Sequence, residues 1–137
     1  EPFVRSDAPM GTLKRRLTSA TDVHNPSVVK VVTNLQGDAL YFSRAPIPFP
    51  APSVPQDAVP PAARAHMGLY VYRRETLLRL AALPAVPLER IESLEQLRAM
   101  AHGIRIRVVE TPHITAAVDT PADLERVRQL MMASSRA

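Results

Sequence analysis

Three side chains that can form hydrogen bonds alternate along residues 66–72. His66, Tyr70 and Tyr72 share one face if this segment is a strand, and the opposite face is apolar. An imidazole and two phenols on one surface suit the recognition of a polyhydroxylated ligand. The residues alone favour a plainer alternative, in which the tyrosine rings pack on a helix with their hydroxyls in water and His66 lies at the surface.

A second polar group occurs in a predicted helix over residues 88–102. Glu92 and Gln96 are four residues apart and therefore share a helix face, with Glu95 beside them. Carboxylates and an amide on one surface can bind hydroxyl groups. The alternative is a solvated helix face, which is the usual fate of such residues.

Two apolar segments, residues 28–33 and 39–44, each carry one cation. Lys30 lies within the first segment and Arg44 at the end of the second. The segments are rich in β-branched and apolar residues and are joined by a Gly-Asp pair, which predicts a hairpin. A cation at the end of an apolar strand is placed to contact an anion at the rim of a sheet.

A single carboxylate, Asp119, precedes a predicted helix that has Thr120 as its N-cap and Pro121 at its first position. A carboxylate between a strand region and a helix N-terminus can face Mg²⁺, which takes a few carboxylates together with phosphate oxygens and water. Alternatively, Asp119 only complements the helix dipole, as we expect of Asp123.

The elements that must position these side chains alternate between strands and helices, which predicts an α/β fold with a partly parallel sheet. The predicted strands are 10–13, 28–33, 39–43, 66–72 and 104–110, and the predicted helices are 74–83, 88–102 and a last one from 121 onward, with an apolar stripe expected to be buried. Half of the chain's 14 prolines lie in residues 45–65. We therefore predict a single α/β domain, 1–137, with a proline-rich loop at 45–65.

Composition narrows the class of ligand. With 137 residues, 46% of them hydrophobic and 22% charged, the chain is expected to form one globular domain. Its net charge of +4 attracts anions, but aromatic residues make up only 4% of the chain, too few for a nucleic-acid stacking surface. Anionic small molecules fit better. The chain has no cysteine and no apolar run long enough to span a membrane.

Four motifs in order resemble those of 3-deoxy-manno-octulosonate cytidylyltransferases (CMP-Kdo synthetases): NPSVVKVV at 25–32, ALYFSR at 39–44, LERIESLEQLR at 88–98 and VDTPADLERV at 118–127. The resemblance runs roughly from Asp22 onward. It implies a three-layer sandwich of the nucleotide-diphospho-sugar transferase type, incomplete here because only the C-terminal part of that fold is matched.

The resemblance implies the function as well. Enzymes of this family activate the acidic sugar Kdo with CTP, giving CMP-Kdo and pyrophosphate for lipopolysaccharide biosynthesis. They use Mg²⁺ and act as cytoplasmic homodimers. The sugar's anomeric hydroxyl attacks the α-phosphorus of CTP, a step promoted by positioning and by charge neutralisation.

The resemblance also assigns roles to individual residues. Arg44 would be catalytic and would bind the sugar carboxylate or a nearby phosphate, for which a guanidinium is suited. Lys30 is a weaker candidate for an anion contact. Asp119 would be catalytic as the Mg²⁺ ligand. The remaining substrate-binding residues would be His66, Tyr70, Glu92, Glu95 and Gln96.

The chain departs from the family pattern in three places. It has no glycine- and arginine-rich loop of the kind that cradles CTP, it begins with Glu1 and Pro2 like the end of the family's QGDEP motif, and Ala117 replaces a usual glycine. We therefore expect a C-terminal portion that lacks the CTP-binding region and is inactive alone. The alternatives are a non-catalytic dimerisation or interaction module and a synthetase for another acidic sugar, with nonspecific nucleic-acid binding as a remote one.

Overall fold

A computed structural model describes residues 3, 6–53, 55, 59–112 and 121–134. The described strands are β1 (Met10–Arg16), β2 (Lys30–Thr33), β3 (Ala39–Ser43), β4 (Arg64–Tyr72) and β5 (Ile106–Glu110). The described helices are α1 (Ala20–His24), α2 (Arg74–Ala82), α3 (Pro87–Glu92), α4 (Gln96–Ala101) and α5 (Pro121–Ser134). No helix in the described part of the chain has the length and apolarity that crossing a bilayer requires.

The five strands form one mixed sheet in the order β3-β2-β4-β1-β5. β1 and β5 run parallel, and the other pairs are antiparallel. The α/β prediction with a partly parallel sheet is confirmed. β3 has the predicted bounds, β1 continues to Arg16, and β4 begins two residues earlier than predicted, at Arg64. The short helix α1 was not predicted.

A bulge interrupts the pairing of β1 with β4. Thr12 lies opposite Tyr70, whereas the next residue, Leu13, lies opposite Met67. The Thr12 hydroxyl oxygen lies 3.1 Å from the carbonyl oxygen of Met67 and 2.9 Å from that of Leu69. One hydroxyl thus lies within hydrogen-bond distance of a carbonyl oxygen on each side of the bulge.

The larger core cluster lies between the sheet and the segment 94–104. Its buried members from the sheet are Met10, Val31, Phe42, Ile106 and Val108, and those from the helical segment and the turn after it are Leu94, Leu97, Ala99 and Ile104. Tyr70 and Tyr72 pack against this cluster, whereas Leu69 and Val71 are exposed. The predicted division of β4 into two faces is confirmed, but its polar-tipped face packs on the core and its aliphatic face does not.

The prediction of one helix over 88–102 is wrong, because the helix breaks after Glu92. Ser93 adopts a left-handed conformation with φ of 53°, and α4 begins at Gln96. The break leaves Ile91 79% exposed while Leu97 is only 1% exposed, although both fit one apolar repeat. Gly103 follows the predicted helix directly, where a glycine indicates a C-terminal cap, and its φ of 73° and its N–H bond to the Met100 carbonyl confirm that role.

The helix α5 begins at Pro121, as predicted, and its predicted N-cap, Thr120, lies outside the described residues. The stripe predicted to be buried consists of Leu124, Val127, Leu130 and Met131, and the prediction is wrong for Leu124 and Met131, which are exposed. The physical reason is that neither buried cluster in the described part of the chain contains a residue of α5.

The hairpin predicted from the Gly-Asp pair is confirmed, and its turn reaches the far edge of the sheet. Gly37 has the positive φ that the turn requires, 84°, and its carbonyl accepts a hydrogen bond from the Val108 N–H at 2.8 Å. The Asp38 carboxylate lies 2.8 Å from Arg107 Nε and 3.7 Å from Arg105 Nη1. The sheet is therefore curved enough for the turn before β3 to contact β5.

We expect Asp38→Asn to lower the free energy of unfolding by about 1–3 kcal/mol, because it leaves two guanidinium groups without their shared anion. Urea denaturation followed by circular dichroism measures this. Asp7→Asn is the matched control, since Asp7 also pairs with Arg105, but its side chain is 82% exposed against 10% for Asp38. Equal shifts in the two denaturation midpoints would contradict the structural role of Asp38.

Candidate functional site

A cavity of about 210 Å³ lies between the sheet and the break in the 87–101 helical segment. The polar-tipped face of β4 forms one wall, and the residues after the break form another. Its lining residues are Met10, Tyr70, Tyr72, Leu80, Ser93, Leu94, Glu95 and Gln96. Three of the residues predicted to bind a substrate, Tyr70, Glu95 and Gln96, are therefore brought together, although they come from two separate segments of the chain.

Gln96 is the most informative residue of the cavity. It is only 5% exposed, and its side-chain Nε2 has no hydrogen-bond partner in the described structure. Because a buried amide donor without an acceptor is costly, such groups in native proteins call for a specific explanation. An acceptor oxygen on a molecule bound in the cavity would satisfy Nε2.

The two tyrosines supply neutral hydroxyl groups. Burial raises the pKa of Tyr70 well above its ordinary value, and the neighbouring Tyr72 and Glu95 add to this effect. The pKa of Tyr72 is raised by burial and by the same carboxylate. Both phenols therefore stay protonated at neutral pH and can donate or accept a hydrogen bond. With the Glu95 carboxylate as acceptor and the Gln96 amide as donor, the cavity can bind hydroxyl groups.

His66 lies beside the cavity and contacts Tyr70, with ring centroids 5.4 Å apart. The imidazole meets the ring of Phe42 edge-on at 5.0 Å, and its Nε2 lies 2.9 Å from the Thr12 hydroxyl. Burial lowers the pKa of His66 from 6.5 to about 4, so the ring is neutral at pH 7. The predicted alternative of a surface histidine is wrong. Thr12 was missed, because a threonine within a strand carries no sequence signal for such a contact.

Glu92 lies in an adjacent cluster and does not line the cavity. Its carboxylate accepts hydrogen bonds from the Ser43 hydroxyl at 2.6 Å and from the Arg44 N–H at 2.9 Å, with a longer contact from Tyr41 at 3.4 Å. Burial alone would raise the pKa of Glu92, but these hydrogen bonds lower it overall. Glu92 is thus neither on a solvated helix face nor in the cavity, and its role in substrate binding stays a prediction.

The Arg44 guanidinium contacts the backbone at the break between α3 and α4. Its Nε donates to the Glu92 carbonyl at 2.8 Å, Nη1 donates to the Pro26 carbonyl at 3.0 Å, and Nη2 approaches the Ser93 carbonyl at 3.4 Å. Three of its five N–H groups are engaged by the backbone, and the other two have no partner among the described residues. Because Ser93 also lines the cavity, Arg44 connects the two clusters.

Lys30 does not contact an anion. It is fully buried, and its ammonium group donates to the carbonyl oxygens of Asn25, Val28 and Arg44. An ammonium has three donors, so none remains for a ligand. The interpretation of Lys30 as an anion contact is therefore wrong.

The predicted metal ligand, Asp119, lies outside the described residues. Within the part of the chain that the structure covers, no three acidic or histidine side chains are grouped so that they could hold a metal ion.

Of the other predicted site residues, the structure brings Tyr70, Glu95 and Gln96 together in the cavity wall, with His66 in contact with Tyr70. Arg44 and Glu92 lie next to them.

Comparison with known proteins agrees with the resemblance read from the motifs. The model of the family described as cytidylyltransferase matches residues 5–106. The 3-deoxy-manno-octulosonate cytidylyltransferase of Syntrophotalea carbinolica is 56% identical over 123 residues, which are 87% of this chain and 49% of that protein. The protein of the same name from Solibacter usitatus is 54% identical over 128 residues, covering 93% of this chain and 49% of its own length.

A solved structure gives the same result for the fold. The structure of CMP:2-keto-3-deoxy-manno-octonic acid synthetase complexed with CTP matches with a TM-score of 0.84 at 44% identity, over 96% of this chain and 52% of that chain. The predicted fold type is confirmed, and the chain spans about half the length of the curated relatives it matches. From the match over residues 5–106 and these identities, the chain belongs to the cytidylyltransferase family.

Proposed function

We propose that this chain supplies the sugar-binding part of a 3-deoxy-manno-octulosonate cytidylyltransferase, which joins Kdo to CMP from CTP and releases pyrophosphate for lipopolysaccharide biosynthesis. The relatives that carry this name support the reaction class. The observation that carries the assignment of the cavity is the buried, unpartnered Nε2 of Gln96, which lies in the same lining as Tyr70 and Glu95.

The donors and acceptors of the cavity suit a polyhydroxylated acid. Gln96 Nε2 would donate to a sugar oxygen, the Glu95 carboxylate would accept from a hydroxyl, and the Tyr70 phenol could do either. A carboxylate on the ligand needs a cation, and Arg44 Nη2, which keeps one N–H for another acceptor, lies 3.4 Å from the carbonyl oxygen of Ser93 at the cavity wall. This division of polar contacts matches one carboxylate and several hydroxyls on one molecule.

In the proposed reaction the sugar's anomeric oxygen forms a bond to the α-phosphorus of CTP, while the bond from that phosphorus to the bridging oxygen breaks and pyrophosphate leaves. The residues of this chain bind and orient the nucleophile, which is a main source of rate in phosphoryl-type transfer. Mg²⁺ would neutralise phosphate charge, and Asp119 is the carboxylate that we assign to it by resemblance, a ligand type that Mg²⁺ prefers. We further propose a cytoplasmic homodimer with CTP and Kdo as its small-molecule substrates.

Isothermal titration calorimetry of this chain with Kdo tests the proposal. We expect Gln96→Leu to weaken binding about tenfold, because it removes a buried donor to the sugar. Gln36→Leu makes the same chemical change at an exposed residue of the hairpin turn and should leave the affinity unchanged. An absence of Kdo binding by the wild-type chain, or tighter binding of another acidic sugar, would contradict the Kdo assignment.

A further inference from the structure

The Thr12 hydroxyl occupies a position where three groups meet. Its oxygen lies 2.9 Å from His66 Nε2, 2.9 Å from the Leu69 carbonyl oxygen and 3.1 Å from the Met67 carbonyl oxygen. Thr12 is only 3% exposed, so water does not replace these partners readily. The bulge in β4 brings both carbonyls to the same hydroxyl, because Thr12 pairs with Tyr70 while Leu13 pairs with Met67.

The single hydrogen of this hydroxyl fixes the direction of each contact. A hydroxyl has one hydrogen to donate, and a carbonyl oxygen can only accept. The Thr12 hydrogen must therefore point to Leu69 or Met67, since pointing it at His66 would leave two carbonyl oxygens facing oxygen lone pairs at about 3 Å. The contact with His66 is then a bond that Nε2–H donates to the Thr12 oxygen.

We propose that Thr12 is a positioning residue, which holds His66 as the Nε2–H tautomer so that Nδ1 is presented as a hydrogen-bond acceptor to a hydroxyl group of the bound sugar acid. The identity of the ligand as a sugar acid rests on the proposed function, whereas the tautomer rests on the geometry alone. None of the described residues forms a hydrogen bond with Nδ1, and the ring contacts Tyr70, which lines the cavity.

Two further observations support the role. The imidazole plane is held by edge contact with Phe42 at 79° and by the tilted ring of Tyr70, so the ring cannot turn and take Nε2 away from Thr12 without disturbing the core. Burial keeps the ring neutral at pH 7, and a neutral imidazole has one donor and one acceptor nitrogen. The same hydroxyl contacts the carbonyl oxygen of Leu69, which directly precedes Tyr70 of the cavity wall.

The tautomer is measured by two-bond ¹H–¹⁵N correlation spectra of the imidazole nitrogens at pH 7.5, with His66→Gln to assign the signals. We expect the wild-type chain to carry the proton on Nε2. Thr12→Val, which removes the hydroxyl at nearly constant shape, should give a mixture of tautomers, and Thr12→Ser should restore the wild-type pattern. A wild-type spectrum with the proton on Nδ1 would overturn the proposal, whether or not the valine variant folds.

Kdo titration then measures the consequence for binding. Thr12→Val is expected to weaken binding about tenfold, and Thr12→Ser about threefold at most, because the serine keeps the acceptor oxygen. If both variants bind Kdo like the wild-type chain, Thr12 does not position His66 for the sugar. A wild-type chain that shows the predicted tautomer but binds no Kdo would instead count against the proposed function, so the two failures are distinguishable.

Discussion

Replacing Lys30 by methionine is expected to lower the free energy of unfolding by about 3 kcal/mol, because three carbonyl oxygens would each lose a buried donor worth about 1 kcal/mol. Lys30 has no exposed surface, and methionine fits an apolar site of similar length. The bonds that would be lost join Nζ to the carbonyls of Asn25 at 2.9 Å, Val28 at 2.6 Å and Arg44 at 2.5 Å. They tie the loop before β2 to the end of β3.

Removal of the buried charge of Lys30 opposes this loss of stability, but its effect is smaller. Burial lowers the pKa of Lys30, which means that the charged form is penalised in the folded protein, and methionine would escape that penalty. However, the ammonium is fully hydrogen-bonded, and the nearby Glu92 carboxylate offsets part of the desolvation. The three abandoned acceptors should therefore decide the sign of the change.

The chain's other lysine provides the matched control. Lys14→Met removes the same charge, but Lys14 is only partly buried and donates one hydrogen bond, to the Thr33 hydroxyl at 2.8 Å. Its loss should cost about 1 kcal/mol or less. Urea denaturation followed by circular dichroism compares the two variants, and equal losses would show that the Lys30 network does not stabilise the fold.

The second large effect concerns acid stability. Because the pKa of His66 is lowered by burial from 6.5 to about 4, the unfolded chain binds more protons than the folded chain between these two pH values. The free energy of unfolding should therefore fall as the pH drops from 6.5 towards 4. At about 1.4 kcal/mol per pKa unit, the His66 contribution amounts to about 3 kcal/mol, and it is fully present above pH 6.5.

Carboxylates also titrate in this range, so the contribution of His66 must be isolated as a difference. His66→Gln keeps an N–H group that can reach Thr12 and has no proton equilibrium between pH 4 and 7. We expect the stability advantage of the wild-type chain over this variant to shrink by about 3 kcal/mol across that range. His24→Gln makes the same substitution at an exposed histidine of α1 and is the matched control. Parallel curves for wild type and His66→Gln would refute the prediction.

Local pattern predicted all five of the described strands, although one bound of β1, β2, β4 and β5 differs by two or three residues. The β-branched residues around the Gly-Asp pair predicted the hairpin, and alternation predicted which side of β4 carries His66 and Tyr70. It did not predict that this polar-tipped side packs on the core. Burial of a face depends on which helices cover it, and the aliphatic side, with Leu69 and Val71, remains exposed.

The helix break shows why the remaining features could not be predicted from local sequence alone. An apolar repeat from Leu88 to Leu97 fits one helix as well as two short ones, and nothing local marks Ser93 as left-handed. The conformation is stabilised by contacts from elsewhere in the chain, including the Arg44 guanidinium at the Ser93 carbonyl. For the same reason Thr12 could not be identified, because its partners are defined by a bulge in another strand.

The same break divides the site residues that the resemblance placed together. In a continuous helix, Glu92 and Gln96 would share one face. The left-handed residue turns Glu92 towards Ser43 and Arg44, while Gln96 lines the cavity with Tyr70. The motif thus predicted which residue types are present, whereas the backbone at Ser93 decides which of them can reach a ligand in the cavity.

The contact between the hairpin turn and β5 affects how the molecule opens. In a flat open sheet the two outermost strands fray independently, since each has only one neighbour. Here the turn that leads into one outermost strand is bound to the other, through Asp38 and the Gly37 carbonyl. Neither β3 nor β5 can separate from the sheet without breaking this contact, so we expect the two strands to unfold locally as one cooperative unit.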